Sequence, residues 1–270
     1  MTKADAYRAR LRSLENWDDY LRRESGLPGP RGNLELAQVV ADEGGPALFR
    51  RYLGYTADEA PTNTPDEFLA FCGVVGLGRL LAEGDRSVLP TLRQFARDPR
   101  WRLREAVAMA LQRLGDADTD RLLADVRPWS KGDPLEQRAA AAAVCEPRLL
   151  HQTKHAAAAL KLLDGITASV ERSSDRRGEA FQALRKGLGY CWSVAVVALP
   201  PQGKKLMEKW MASRDPDVRW IMRENLKKNR LIRMDAAWAK RWAGRLKSRR
   251  PRGGPAPTAL PRPSGRARFP

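Results

Sequence analysis

A chain of 270 residues, 43% of them hydrophobic, carries enough apolar side chain to bury a core, which excludes wholesale disorder, and it exceeds the usual size of one compact core. Its formal charge of +17 is unevenly placed: residues 204–270 hold 20 Lys or Arg against 5 Asp or Glu, whereas residues 1–203 hold 29 against 27. The body is nearly neutral and the last quarter is polycationic, which favours phosphate-rich partners or anionic headgroups through counterion release without implying sequence specificity.

The chain opens with MTKADAYRARLRSLENWDDYLRRES, which mixes charges of both signs and lacks an apolar stretch. No secretory leader is expected, and the location expected is cytoplasmic. Residues 3–24 read as one amphipathic helix with Leu11, Leu14, Trp17 and Leu21 on one side, and residues 1–32 as a capping helix and turn ahead of the main array. A Gly- and Pro-rich break follows at residues 25–33. Four helix starts then recur: Thr64-Pro65, Asp98-Pro99, Asp133-Pro134 and Asp215-Pro216 each place a capping oxygen before a proline suited to the first helical position. Glu67 and Glu136, three residues after their caps, complete capping boxes on this reading.

The helices behind these starts align without gaps. LAFCGVVGLGRL (69–80) matches LREAVAMALQRL (103–114), and QRAAAAAV (137–144) follows at the same interval, a 34-residue period marked by Ala70, Arg104 and Arg138. Looser copies place Arg177 and Arg223 at intervals of 39 and 46. Such a period marks a helix-pair solenoid, with partner helices in SVLPTLRQFA, TDRLLADV, HQTKHAAAALKLL and GKKLMEKWMA. The longest apolar run, Cys191 to Pro200, is about half of what a membrane-spanning helix needs. From Lys247 onward Pro, Gly and Arg alternate without hydrophobic period, so residues 247–270 are expected to be disordered and residues 33–246 to form the repeat domain.

The segment DPRWRLREAVAMALQRLGD (98–116) resembles the HEAT repeat in its phycobilisome-lyase-like form. The resemblance covers residues 33–235 and implies an all-α fold, a right-handed α-α superhelix whose concave face binds a partner, but no particular activity. RWIMRENLKKNRLIRMDAAW is similar to the last repeat of AlkD-like DNA alkylation-repair glycosylases, although the Trp-Trp-Asp signature of that family is absent.

Basic and aromatic residues interleave near the end of the chain, where Arg219, Arg223, Lys227, Lys228 and Arg230 can neutralise phosphates and Trp220 can stack on a base. Arg249, Arg250 and Arg252 extend that charge into the tail. RWRLRE and RWIMRE each set a carboxylate four residues after a Trp, Trp101 with Glu105 and Trp220 with Glu224, on one helical face that could hold a cationic ligand. Arg104, Arg138, Arg177 and Arg223 read as a ladder paired with Asp98, Asp133 and Asp215. His151 and His155 lack a full ligand set, Gly73, Gly76 and Gly78 suit close helix packing, and the three cysteines suit reduced thiols, so neither metal nor cofactor is expected. The reading is a non-catalytic HEAT-like scaffold that binds DNA or RNA through its basic last repeat and tail. An AlkD-like glycosylase using Trp101, Glu105, Trp220 and Glu224, and an adaptor that grips a protein on its concave face, are the alternatives.

Overall fold

The computed structural model describes residues 2–248, which are all-helical: fifteen α-helices, three short 3-10 turns and no strand among the described residues. At the N-terminus α1 (Lys3–Arg12) and α2 (Asp18–Glu24) take the place of the single helix expected over residues 3–24. Ser13 closes α1 by donating from its hydroxyl to the Arg10 carbonyl, and Asn16 accepts the Asp18 backbone N–H. The Trp17 indole donates to the Leu11 carbonyl, which also accepts the Leu14 backbone N–H where the helix ends. Short polar side chains that bond to nearby backbone compete with helix continuation, and here they win.

After α3 (Leu34–Glu43) and α4 (Pro46–Leu53) the chain alternates between two rows. The elements in order are α5 (Pro65–Ala82), α6 (Leu89–Phe95), α7 (Trp101–Ala117), α8 (Thr119–Val126), α9 (Pro134–Val144), α10 (Thr153–Arg172), α11 (Glu179–Ala198), α12 (Pro200–Met211) and α13 (Pro216–Leu226). The odd-numbered members pack successively into an inner row, while α6, α8, α10 and α12 line the other side, so the chain is a solenoid of stacked helix pairs. Two helices close the described chain, α14 (Asn229–Met234) and α15 (Ala236–Ser248). The intervals of 39 and 46 residues reflect length, since α10 and α11 run to 20 residues each.

The core runs the length of the stack. Helix α5 is buried at every position from Glu67 to Gly78, as suits a helix covered on all sides. The glycine run lets neighbours approach it: a methyl at Gly76 would meet the Phe49 ring at 2.4 Å, and one at Gly78 would meet the Ala110 backbone at 2.4 Å.

Three of the four expected helix starts form. Thr64, Asp133 and Asp215 cap α5, α9 and α13, each accepting a first-turn N–H, with proline next. At the fourth, Asp98 does not cap, because α7 begins at Trp101 and the Asp98 carboxylate instead holds Arg100 at 2.9 Å. The reciprocal half of the capping boxes is also absent. Glu67 accepts from the Asn63 backbone and from Arg102, and Glu136 accepts from Arg93 and Arg97, so two fully buried carboxylates tie successive repeats together. Those pairs replace the expected arginine ladder. Asp133 pairs with Arg97 and Asp215 with Arg176, while Arg177 is exposed one residue beyond it.

Candidate nucleic-acid interface on the inner row

The surface of α5, α7, α9 and α11 forms a groove of about 750 Å³, closed at one end by the Gly- and Pro-rich loop of residues 27–34. Arg102 sets that end. Its buried guanidinium donates to Glu67 at 3.1 Å, to the Gly29 carbonyl at 2.6 Å and to Asn63 at 3.0 Å, which locks the loop onto α5 and α7. It also lies 4.5 Å from the centroid of the Trp101 ring. Arg100, 3% exposed, donates to the carbonyls of Tyr55, Thr56 and Ala60 and so fixes where α7 begins. Trp101, the first residue of α7, is therefore held at the groove wall with 43% of its surface open.

One turn on, Glu105 accepts an ion pair from Arg138 of α9, and Arg138 also donates to the Arg104 carbonyl. Arg104 spans to α11 through Glu179 at 2.9 Å. Tyr190, 44% exposed, stands on the α11 wall, with the thiols of Cys145 and Cys191 buried below it. Burial pushes the Cys145 thiol well above its ordinary pKa, and its contact with Cys191 adds to this, so it is held as the neutral thiol at neutral pH. No metal-holding group of three His, Cys, Asp or Glu occurs among the described residues; His155 bonds Asp120 at 3.1 Å.

Exposed apolar surface is concentrated here. The described residues expose five large hydrophobic side chains, and Leu34, Trp101 and Tyr190 line the groove while Val197 lines a second pocket that shares Tyr190. Clustered apolar exposure marks binding surface, whereas scattered exposure would not. The lining holds Arg31, Arg102, Arg104, Arg138 and Lys186 against Glu105 and Glu146. Because Arg102, Arg104 and Arg138 are already paired, the uncommitted charge of the groove comes from Arg31 and Lys186.

The residues anticipated from sequence fall into three groups. Trp101 and Glu105 share the groove, but Trp220 and Glu224 lie on α13 outside its lining. Arg185 sits 3.8 Å from the Trp220 centroid and covers one face of the ring, and Glu224 pairs with Lys227 at 2.5 Å. The two Trp-carboxylate pairs thus do not converge. Arg219, expected to neutralise phosphate, is instead 8% exposed and donates to the Leu246 carbonyl at 2.9 Å, tying α13 to α15. Arg223 and Lys227 are exposed, and Lys228 and Arg230 lie 5.7 and 4.9 Å from the Tyr190 ring. Arg249, Arg250 and Arg252 lie outside the described residues.

Arg31, Lys186 and Tyr190 were not anticipated. Arg31 stands in a segment that reads only as a turn, and Tyr190 in a run, LGYCW, that reads as core. The class these features define is an all-helical solenoid with an aromatic, cation-edged groove on its inner row. Neither a protein-family model nor a curated protein nor a solved structure matches the chain.

Proposed function

We propose that the chain is a nucleic-acid-binding scaffold, whose inner groove stacks exposed bases on Trp101 and Tyr190 while cations at its edge and in the basic last quarter neutralise the phosphates. The observation that carries this is the convergence of the two large exposed aromatic residues on one groove beside Arg31 and Lys186. Aromatic faces beside uncommitted cations supply the two interactions that single-stranded nucleic acid requires, stacking and counterion release. The concentration of charge after residue 203 adds long-range attraction. Relative to a reading from sequence, the stacking role moves from Trp220 to Trp101 and Tyr190.

The test is a salt series of oligonucleotide binding to the whole chain and to a chain ending at Ser248. Both are expected to bind, the shorter one more weakly and with a shallower salt slope. Binding that vanishes on truncation would leave the groove without a role.

A second reading is favoured by Trp101 and Glu105 sharing the groove. An aromatic face beside a carboxylate suits a cationic base, and the AlkD-like glycosylase reading would use those two residues. Against it stands the Arg138 guanidinium, which already neutralises Glu105. Free base released from methylated DNA by the wild type, and lost in Glu105→Gln, would decide for the enzyme.

A further inference from the structure

A second pocket of about 640 Å³ shares Tyr190 with the groove and is otherwise lined by Val197, Lys228, Asn229, Arg230, Arg233 and Met234. Its charge is one-sided. Lys228, Arg230 and Arg233 all line it and no carboxylate does. Many cations elsewhere are matched, among them Arg8 and Arg12 with Glu43, Arg93 and Arg97 with Glu136, and Arg176 and Arg185 with Asp217. The carboxylates nearest to the pocket in sequence are taken as well, Glu224 by Lys227 and Asp235 by Lys204 at 2.6 Å. Among the described residues Lys228, Arg230 and Arg233 enter no ion pair.

Like charges gathered without a counter-charge repel one another, and the fold holds two of the three, Lys228 and Arg230, against Tyr190. The Arg230 guanidinium donates to the Tyr190 hydroxyl at 2.6 Å and lies 4.9 Å from the ring centroid, with the Lys228 ammonium 5.7 Å from the same ring. A bound anion relieves that repulsion, and guanidinium groups supply the forked donors that match phosphate oxygens.

We infer that the Tyr190–Lys228–Arg230–Arg233 pocket is a phosphate-binding subsite, placed so that a ligand stacked in the groove delivers a phosphate group past Tyr190 into it. The phosphate could come from two sources, a backbone diester or a terminal monoester. The pocket's phosphate chemistry stands on its own residues, and only the nucleic-acid source of the phosphate rests on the function proposed above.

The experiment has two arms, both on the full chain. In the first, pyrophosphate is titrated against wild type and Arg230→Gln/Arg233→Gln while backbone amide resonances are followed. Saturable shifts at Tyr190, Asn229, Arg230 and Arg233 that disappear in the double variant are expected; shifts confined to residues 249–270, or none, overturn the subsite. In the second arm, the same two proteins bind one single-stranded oligonucleotide with and without a 5′-phosphate across a salt series. A log-log salt slope about 0.7 shallower in the variant, with both oligonucleotides bound equally, identifies a backbone diester. A preference for the phosphorylated end that the variant abolishes identifies a monoester. Slopes and preferences identical in the two proteins overturn the inference, whereas failure of both proteins to bind any oligonucleotide overturns the nucleic-acid source and leaves the pyrophosphate arm to decide the pocket.

Discussion

Replacing Gly78 by alanine tests the solenoid where α5 and α7 cross in close contact. The added methyl would sit 2.4 Å from the Ala110 Cα and 2.6 Å from its carbonyl oxygen, both backbone atoms of α7. Carbon atoms in contact prefer about 3.5–4.0 Å, so α5 and α7 must separate by about 1 Å. Overpacking of this kind costs about 1–3 kcal/mol, more where backbone rather than side chain must yield, against about 1 kcal/mol gained from alanine's helix propensity. A net loss of about 2 kcal/mol lowers Tm by about 4–8 °C in a chain of this size. The same substitution at Gly165, on the exposed side of α10 with nothing within 4 Å, keeps the propensity gain and lacks the clash. It should raise Tm by about 2–4 °C. Thermal unfolding followed by circular dichroism reads both. Equal or stabilising effects at the two sites would show that α5 and α7 do not cross as closely as the fold requires.

Three further outcomes follow from the same geometry. Trp101→Ala, at a side chain 43% exposed, should leave stability within about 1 kcal/mol of wild type but weaken oligonucleotide binding by about 1–3 kcal/mol, or roughly 5- to 150-fold, by fluorescence anisotropy. Glu67→Ala removes the fully buried partner of Arg102 and leaves that cation uncompensated, so urea unfolding should show a loss of about 3–5 kcal/mol. In acid, the Asp18 carboxyl resists protonation: burial alone would raise its pKa, but hydrogen bonds from Arg51 and Tyr52 more than offset this and hold it below the ordinary 3.8. A carboxyl depressed in the folded state stabilises above the unfolded value and loses that contribution as pH falls through the folded one. The urea midpoint should therefore drop below pH 3.8, and Asp18→Asn should flatten that drop.

Much of the scaffold was legible because it rests on local chemistry. A capping oxygen before a proline acts within one turn, so Thr64, Asp133 and Asp215 could be read directly, and the 34-residue period gave α5, α7 and α9 their register. The misread features depend on atoms distant in sequence. Asp98 looks identical to a cap, yet the hydrogen bonds from the Arg100 guanidinium to carbonyls of residues 55–60 draw the helix start two residues on, from Pro99 to Trp101. Glu67 and Glu136 carry a capping-box spacing, but burial commits them to arginines 35 and 43 residues away. The groove was the least legible part. Trp101 and Trp220 occupy equivalent positions in two similar hexapeptides and each ring carries an arginine, Arg102 on one and Arg185 on the other, so only packing distinguishes them: Trp220 is half-buried on α13 whereas Trp101 stays open at the groove wall. Arg31 and Tyr190 join the site through the stacking of helices that no local pattern records.

The most direct test of the central claim is ultraviolet cross-linking of a single-stranded oligonucleotide to the full chain, with the attached peptides identified by mass spectrometry. Bases stacked on Trp101 and Tyr190 predict cross-links in the peptides that begin α7 and end α11. Cross-links found only in peptides beyond residue 248 would contradict the account.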